Sequence, residues 1–297
     1  MELYSDRLKK YLESIEDSLH SYFPDEDKLS GETVRAMKYS IEAGGKRIRP
    51  VLVLTWADIC GGKESFALPF ACALEMVHSY SLIHDDMPCM DDSPLRRGKP
   101  SVHKEFGEDI ALLAGDGLLT RAFEIILNPS ICEKMNPEDR LAAAFTLADA
   151  AGVNGMVGGQ NLDLTSEGKN LDFDSIVLLQ SGKTAALIRA ACVMGAQVSG
   201  AKEETVRAAA VYGENLGMAF QVVDAILDVT STSADLGKPV NHDVECHKNT
   251  MVSLLGLEEA KKIAKDFTQK AIDALTEINI NSSDLIDLAQ KLISRIN

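Results

Sequence analysis

The stretch "ALEMVHSYSLIHDDMPCMDDSPLRRG", residues 73–98, decides the fold prediction. Its first part is apolar over most of a helical surface, and its second part holds four aspartates followed by two arginines. A helix that is apolar on all sides belongs in the centre of a protein. Carboxylates at the end of such a helix are costly unless they line a cavity and meet a cation. The stretch therefore predicts a central helix whose end lines a charged cavity.

Helical periodicity continues along nearly the whole chain, and segments of strict period-two alternation are missing. After an amphipathic, charged N-terminal helix, the predicted helices cover residues 30–43, 48–60, 66–86, 109–127, 137–152, 172–199, 202–230, 257–276 and 282–296. Clusters of Gly and Pro interrupt this pattern, but none is long enough to be a flexible linker between domains. The sequence therefore predicts an all-α fold that forms a single domain over residues 1–297.

Composition excludes several classes of function. A formal net charge of −15 argues against nucleic-acid binding, because phosphate backbones are bound by basic surfaces. No run approaches the roughly 20 consecutive apolar residues of a membrane helix, and the N-terminus lacks the apolar core of a signal peptide. The six cysteines are scattered and indicate neither a zinc site nor a disulfide framework. We expect a cytoplasmic protein without membrane insertion and without a nucleic-acid partner.

The first group of candidate site residues consists of Asp85, Asp86 and Asp91. Carboxylate oxygens suit a hard divalent cation, and Mg2+ commonly takes one or two carboxylates while phosphates and water fill its other positions. Pro88 cannot continue a regular helix, so the chain can bend and bring Asp91 back towards Asp85. A solvated acidic loop is the alternative. Arg96 and Arg97 favour the metal site, because guanidinium groups fit phosphate oxygens well.

The second group is Asp224 and Asp228 in "AFQVVDAILDVT", residues 219–230. Their i,i+4 spacing places two like charges on one helix face, which destabilises the helix unless a positive charge lies between them. An exposed acidic pair is the alternative. The surrounding apolar residues favour a buried site that contains an ion.

Candidate cations complete the pattern, several of them beside Gly, Pro or Thr at predicted helix ends: Lys46, Arg49, Lys183, Lys238 and Lys248. Helix N-termini and turns add backbone N–H donors for anions. His78 lies two turns before Asp85, where it is either a packed core residue or a donor to a phosphate. Together these residues describe a helical cavity for magnesium and a doubly phosphorylated, otherwise apolar substrate. Magnesium can promote ionisation of an allylic carbon, while an apolar cavity shields the carbocation from water.

Seven segments carry a resemblance to a known family: "GGKRIRP", "ALEMVHSYSLIHDDMPCMDDSPLRRGKPSVH", "LLAGDGLL", "GGQNLDL", "GKTAALI", "GMAFQVVDAILDVT" and "KNTMVSLLGLEEA". In this order they resemble the polyprenyl (isoprenyl) diphosphate synthases, and most closely the bacterial farnesyl diphosphate synthases. The resemblance implies an isoprenoid-synthase helical bundle around a central active-site cavity, usually in a homodimer. It implies a prenyltransferase that condenses isopentenyl diphosphate head-to-tail with dimethylallyl and then geranyl diphosphate. It also implies three Mg2+ ions per active site with substrate bound.

The resemblance assigns a role to each candidate residue. The implied metal ligands are Asp85, Asp86, Asp91, Asp224 and Asp228. The implied allylic diphosphate ligands are Arg96, Lys183, Thr184, Gln221, Lys238 and Lys248. The implied isopentenyl diphosphate ligands are Lys46, Arg49, His78 and Arg97. The implied catalytic group is Lys183, Thr184 and Gln221, in which Thr184 and Gln221 face the developing cation; the released diphosphate takes the proton.

Tyr80 and Ser81 are the candidate chain-length residues. Tyr80 precedes Asp85 by five residues, so on a helix its ring lies roughly 7.5 Å below the metal site, where a growing prenyl tail would travel. In the family, an aromatic residue here goes with a farnesyl product, as do two extra residues within the motif "DDMPCMD". Tyr80 that merely packs in the core is the alternative.

Two departures from the family pattern keep other functions open. The second motif, usually DDxxD, has Ala225 in its middle position, and Ser93 and Pro94 stand where aspartates are common after the first motif. Ala225 motivates a weakly active or non-catalytic partner subunit that binds prenyl diphosphates. A geranylgeranyl diphosphate synthase is the second enzymatic alternative. A terpene cyclase would share the fold but has no need for the cations at 46–49.

Overall fold

The computed structural model describes residues 4–230, 248–278 and 280–296. The helices of the first half are α1 (Asp6–Ser21), α2 (Gly31–Glu42), α3 (Ile48–Ile59), α4 (Glu64–Asp85), α5 (Val102–Phe106), α6 (Glu108–Leu127) and α7 (Pro137–Ala151). The later helices are α8 (Met156–Thr165), α9 (Phe173–Gln180), α10 (Ala186–Gln197), α11 (Glu203–Thr230), α12 (Met251–Leu255), α13 (Leu257–Thr276) and α14 (Ser283–Ser294). A π-helical segment, Ser181–Ala185, connects α9 to α10.

Helix α4 is central to the core, as its apolar surface predicts. It packs against α3, α6 and α10, and Phe70, Leu74 and Met76 are completely buried. On the other side of the core, α11 packs along α10 and α13. The ring of Trp56 meets that of Tyr212 edge to face at 5.8 Å, so an aromatic pair joins α3 to α11. The end of α4 that carries Asp85 lies in this core, whereas the end of α11 that carries Asp224 packs in a second, smaller apolar cluster with α12 and α13.

The predicted all-α class is confirmed, and each predicted helix is present within a few residues of its expected ends. The structure adds elements that periodicity did not predict: α5, α8, α12 and a hairpin of β1 (Leu95–Arg96) and β2 (Lys99–Pro100). These elements are too short to show a reliable period. The predicted helix 172–199 is interrupted by the π-helical segment. Such interruptions are frequent at functional sites.

The hairpin turn separates two adjacent arginines. Arg97 and Gly98 form its two-residue loop with φ of 54° and 78°, and positive φ at both central residues is characteristic of a type I′ turn. Arg96 remains in strand β1, paired with Lys99. The turn therefore changes the backbone direction between Arg96 and Arg97.

Hydropathy and length alone would allow three described stretches to cross a bilayer: Glu64–Asp85, Pro137–Thr165 and Phe173–Gln197. In the most apolar part of each stretch, the fraction buried inside the protein is 72%, 39% and 61%, respectively. The apolar surface of the first and third is therefore used mainly by the core. The absence of membrane insertion stays a prediction.

Candidate active site

A cavity of about 960 Å³ opens between the ends of α3, α4, α8 and α11 and the π-helical segment. It brings together most of the residues that the sequence singled out: Lys46, Arg49, His78, Tyr80, Ser81, Asp85, Arg96, Arg97, Lys183, Thr184, Gln221 and Asp224. Four other predicted residues, Asp86, Asp91, Asp228 and Lys248, are not part of its lining among the described residues. Lys238 lies outside the described residues.

The loop after α4 folds back on itself, as Pro88 predicts. The Asp91 amide donates a hydrogen bond of 2.9 Å to the Asp85 carbonyl. Gln160 of α8 donates from Nε2 to Asp85 Oδ1 at 2.7 Å. Burial raises the pKa of Asp85, a shift that Lys183 opposes and Asp91 reinforces. Burial therefore disfavours the charged form of this carboxylate, and a bound divalent cation would favour it.

Asp86 does not line the cavity but is bound to the hairpin through Arg96. Its side chain is 3% exposed, and Arg96 Nε donates to both of its carboxylate oxygens at 3.1 Å. Arg96 Nη2 makes a further hydrogen bond to Oδ1. Burial raises the pKa of Asp86, and the hydrogen bonds from Arg96 oppose the shift. In this arrangement Asp86 anchors Arg96, while its role as a metal ligand stays a prediction.

The remaining carboxylates have different surroundings. Asp91 Oδ2 lies 3.7 Å from Lys248 Nζ, and Asp224 Oδ1 lies 3.6 Å from Nη1 of Arg295, just beyond α14. Asp228 is completely buried. Within the described part of the chain, no three His, Cys, Asp or Glu side chains are grouped closely enough to hold a metal ion.

Asp85, Asp91 and Asp224 nevertheless fit magnesium. This ion needs only one or two protein carboxylates when substrate phosphates and water complete its coordination. Asp85 and Asp224 line the same cavity, and the backbone hydrogen bond holds Asp91 beside Asp85. The donor set therefore suits magnesium that binds together with a diphosphate, rather than a closed site made of protein ligands alone.

A second group of charges lies around the loop before α3. Arg49 Nη1 is 3.5 Å from His78 Nε2, and Arg49 Nε is buried without a hydrogen-bond partner among the described residues. Burial lowers the pKa of His78 well below its usual value, with a further contribution from Arg49. The Arg97 guanidinium packs on Gly45, where an added Cβ would lie 2.7 Å from Cζ. Lys46 completes this group, which is suited to a second anion.

The π-helical segment supplies the third part of the site. Lys183 Nζ pairs with Asp163 of α8 at 2.5 Å, and Gln221 Nε2 donates to Thr184 Oγ1 at 2.7 Å. Helix α8 approaches this segment so closely that a Cβ on Gly159 would lie 2.1 Å from the Lys183 nitrogen. Only glycine leaves room for this approach. The contact therefore fixes where Lys183 and Thr184 enter the cavity.

Tyr80 closes part of the cavity below Asp85. Its side chain is buried, and its ring meets His84 edge to face at 5.8 Å. Ser81 also lines the cavity and donates from Oγ to the His78 carbonyl at 2.8 Å. The apolar part of the wall is formed by Met156, Val157, Leu164, Leu187 and Phe220. This wall suits a hydrocarbon chain.

Sequence reasoning missed several residues at the site: Arg47, Glu75, Gln160, Asp163 and Arg295. A carboxylate within an apolar helix, as at Glu75, is a signal that a buried partner exists. The motif "GGQNLDL" was visible, but nothing in the sequence showed that Gln160 and Asp163 reach residues 75 and 20 positions away. Arg295 gave no local signal, because its contact with Asp224 depends on tertiary packing.

The model of the polyprenyl synthetase family matches residues 31–284. The chain belongs to this family. The polyprenyl synthetase described here is 42% identical over 288 residues to a farnesyl diphosphate synthase of Micrococcus luteus, covering 97% of this chain and 96% of that protein. It is also 42% identical over 266 residues to an Arabidopsis thaliana heterodimeric geranylgeranyl pyrophosphate synthase large subunit, covering 88% and 72%.

A solved structure supports the same family and fold. The Helicobacter pylori geranyltransferase, complexed with magnesium and isoprenyl diphosphate, has a TM-score of 0.84 and 31% identity, covering 99% of this chain and 98% of that one. This polyprenyl synthetase is therefore a prenyltransferase of the magnesium-dependent prenyl diphosphate synthase class. The relatives include both farnesyl and geranylgeranyl synthases, so membership of the family leaves product length open.

Proposed function

We propose that the protein is a farnesyl diphosphate synthase that condenses isopentenyl diphosphate with dimethylallyl and then geranyl diphosphate, releasing diphosphate at each step. One observation carries the proposal: a single apolar-walled cavity holds two separate groups of cations. Arg96 is held by Asp86 beside the acidic loop, whereas Arg97 packs on Gly45 beside Lys46. A condensation of two diphosphates needs two such groups.

The allylic diphosphate is expected at the acidic side. Asp85, Asp91 and Asp224 would hold magnesium there, and Asp86 and Asp228 are proposed to assist. When bound, magnesium supplies positive charge that stabilises the leaving diphosphate. Arg96, Lys183 and Lys248 would bind the phosphate oxygens, as would Lys238. Binding three Mg2+ ions with the substrate is part of the proposal.

Isopentenyl diphosphate is expected at the other group. Lys46, Arg49 and Arg97 would bind its phosphates, and His78, kept neutral by its lowered pKa, would donate one hydrogen bond. The buried Nε of Arg49 offers a donor that an anion could satisfy. The Thr184–Gln221 pair would face the allylic cation, and the apolar walls would exclude water from it.

Tyr80 is the basis for proposing a farnesyl product: its buried ring lines the cavity, where it would block a longer tail. A geranylgeranyl diphosphate synthase is the second candidate, favoured by relatives such as the Arabidopsis large subunit. Ala225, which is buried in the second motif, keeps a weakly active or non-catalytic partner subunit in consideration. The retained Asp85 and Asp224 in the cavity argue against that alternative.

We also propose a homodimer in the cytoplasm, built from one domain per chain. Helices α6 and α7 expose large apolar side chains: Leu112 48%, Leu113 51%, Leu141 65% and Phe145 68%. An exposed apolar surface of this kind is typical of a protein–protein interface. Sedimentation of the wild type and of Phe145→Glu tests the dimer: loss of dimer in the variant supports this surface, and an unchanged dimer contradicts it.

The function is tested by incubating the protein with Mg2+, isopentenyl diphosphate and either dimethylallyl or geranyl diphosphate, then sizing the products. Elongation of both starters that stops at the C15 product is expected. A C20 end product would favour the geranylgeranyl synthase. No elongation of either starter would refute the synthase and favour the partner subunit.

A further inference from the structure

Arg47 has an unusual backbone conformation in the loop before α3. Its φ is 48° and its ψ 34°, the left-handed region, which non-glycine residues rarely adopt. Residues held in this way persist only where their surroundings enforce the conformation, and they cluster at functional sites. Arg47 stands between Lys46 and Arg49, two proposed ligands of isopentenyl diphosphate. The strain therefore lies in the loop that carries the second group of cations.

Hydrogen bonds of the buried Arg47 side chain enforce this conformation. Arg47 is 3% exposed, and its guanidinium makes five hydrogen bonds to protein oxygens. Nε and Nη2 reach Glu16 of α1 at 2.7 and 3.3 Å, and Nη1 reaches Glu75 of α4 at 2.7 Å. Nη2 and Nη1 also donate to the carbonyls of Ile41 and Gly44 at 2.7 and 3.3 Å. An arginine has five N–H donors, so none is left for a substrate.

The inner partner, Glu75, connects this arginine to the diphosphate ligands. It is 2% exposed and lies three residues before His78 on α4. Burial lowers the pKa of Arg49 and also that of Arg97, and Glu75 opposes both shifts. The carboxylate lines the same cavity as Arg49 and Arg97 and is hydrogen-bonded to Arg47, so it is a counter-charge that these three cations share. Without it, the cations would repel one another without a buried counter-charge.

The outer partners come from the N-terminal segment. Glu16 lies on α1, and the Tyr4 hydroxyl donates a hydrogen bond to the Lys46 carbonyl. Helix α1 therefore holds the loop from outside, while Glu75 holds it from the core. The Tyr4 hydrogen bond acts on the Lys46 peptide group directly, whereas Glu16 and Glu75 hold the loop through the side chain of Arg47.

We propose that Arg47 is a positioning residue for the second diphosphate site. Held between Glu75 and Glu16, it makes this site bind isopentenyl diphosphate in the correct position. This inference rests on the proposed function. Arg47 touches no substrate itself. It sets the loop geometry that lets Lys46 and Arg49 bind one diphosphate together, and it leaves the allylic site to other elements.

The test measures the Kd of isopentenyl diphosphate alone, which binds without reacting, and the KM of geranyl diphosphate. The variants are Arg47→Lys and Glu75→Gln, with Tyr4→Phe as a milder change that keeps the buried pair. A partly relaxed loop that weakens one hydrogen bond to the charged diphosphate should raise the Kd about tenfold. The KM of geranyl diphosphate should change less than about twofold, because Arg96 and Lys183 keep their own partners.

Arg121→Lys is the matched control. Arg121 of α6 also ties α1 to another helix, since its Nε donates to the carbonyl of Tyr22 at 2.7 Å, but its hydrogen bonds go to Tyr22 and Glu124 and not to the loop before α3. The control should lower the melting temperature and leave both substrate constants unchanged. Two results would overturn the inference. One is an equal change of the isopentenyl diphosphate Kd and the geranyl diphosphate KM in Arg47→Lys. The other is an unchanged Kd in both Arg47→Lys and Glu75→Gln.

The same measurements distinguish failure of the proposed function from failure of the positioning role. If the wild type binds isopentenyl diphosphate and the variants weaken this binding, the positioning role holds even when no starter is elongated. If the wild type elongates both starters with unaltered binding in the variants, the function stands and the positioning role falls.

Discussion

The substitution Asp86→Asn separates two roles for one carboxylate. Family resemblance makes Asp86 a metal ligand, whereas the structure shows it buried and bonded to Arg96 through both oxygens. If its main task is to hold Arg96, its replacement should destabilise the protein without any metal. If it is a ligand, the effect should depend on magnesium.

The magnitude follows from the burial of the two partners. Removing one member of a buried ion pair costs about 3–5 kcal/mol, because the other charge is left uncompensated. Arg96 is 34% exposed, so water and the polar amide of Asn replace part of the interaction. We expect a loss of about 1–3 kcal/mol in the free energy of unfolding. For a chain of 297 residues, whose unfolding entropy is roughly 0.6 kcal/mol/K, that corresponds to a fall of about 2–5 °C in melting temperature.

The assay is thermal unfolding in a chelating buffer, followed by the KM of geranyl diphosphate at saturating magnesium. Asp91→Asn serves as the control, because its contact with Lys248 is longer, at 3.7 Å. Asp86→Asn should melt earlier than the control and raise the KM through a misplaced Arg96. An unchanged melting temperature in chelator, combined with a higher magnesium requirement, would refute the reasoning and make Asp86 a ligand.

Three further predictions concern the cavity. Tyr80→Ala should yield products longer than C15, because the buried ring no longer blocks the tail. Tyr80→Phe should keep the wild-type product. An unchanged product in both variants would show that Tyr80 does not control chain length. Arg96→Lys should raise the KM of geranyl diphosphate and Arg97→Lys that of isopentenyl diphosphate, by about tenfold each, since Lys cannot reproduce a guanidinium fork; the same KM shifting in both variants would contradict two separate sites. The lowered pKa of His78 means that the unfolded chain binds more protons below about pH 6.5, so this residue makes the protein less stable as the pH falls below that value. Histidine NMR should show a His78 titration midpoint below 6.5, and a midpoint at or above it would contradict a neutral donor.

The helices were predictable because apolar periodicity persists through α4 and α11 and glycine marks several ends. The fold-back of the acidic loop was also predictable, since Pro88 stops the helix and the Asp91 amide then reaches Asp85. These features depend on residues that are close in sequence. The same holds for the placement of Tyr80 below Asp85.

Features that depend on distant residues were not predictable. The π-helical segment forms where Gly159 lets α8 approach Lys183, a contact between separate helices. Arg96 and Arg97 diverge because the turn has a positive φ at a non-glycine residue, Arg97. No local sequence pattern predicts this conformation. The five hydrogen bonds of Arg47 likewise join α1, α4 and the end of α2. A sequence pattern identifies such residues as charged but does not tell which charge meets which.

In the proposed reaction, one cavity holds two diphosphates at two cation groups and joins their prenyl chains. The most direct measurement is the reaction of geranyl diphosphate with isopentenyl diphosphate and Mg2+, with separate quantification of the C15 product and released diphosphate. We expect equal amounts of both, and neither in the presence of a chelator. Release of diphosphate with geraniol as the only organic product, or no release at all, would contradict it.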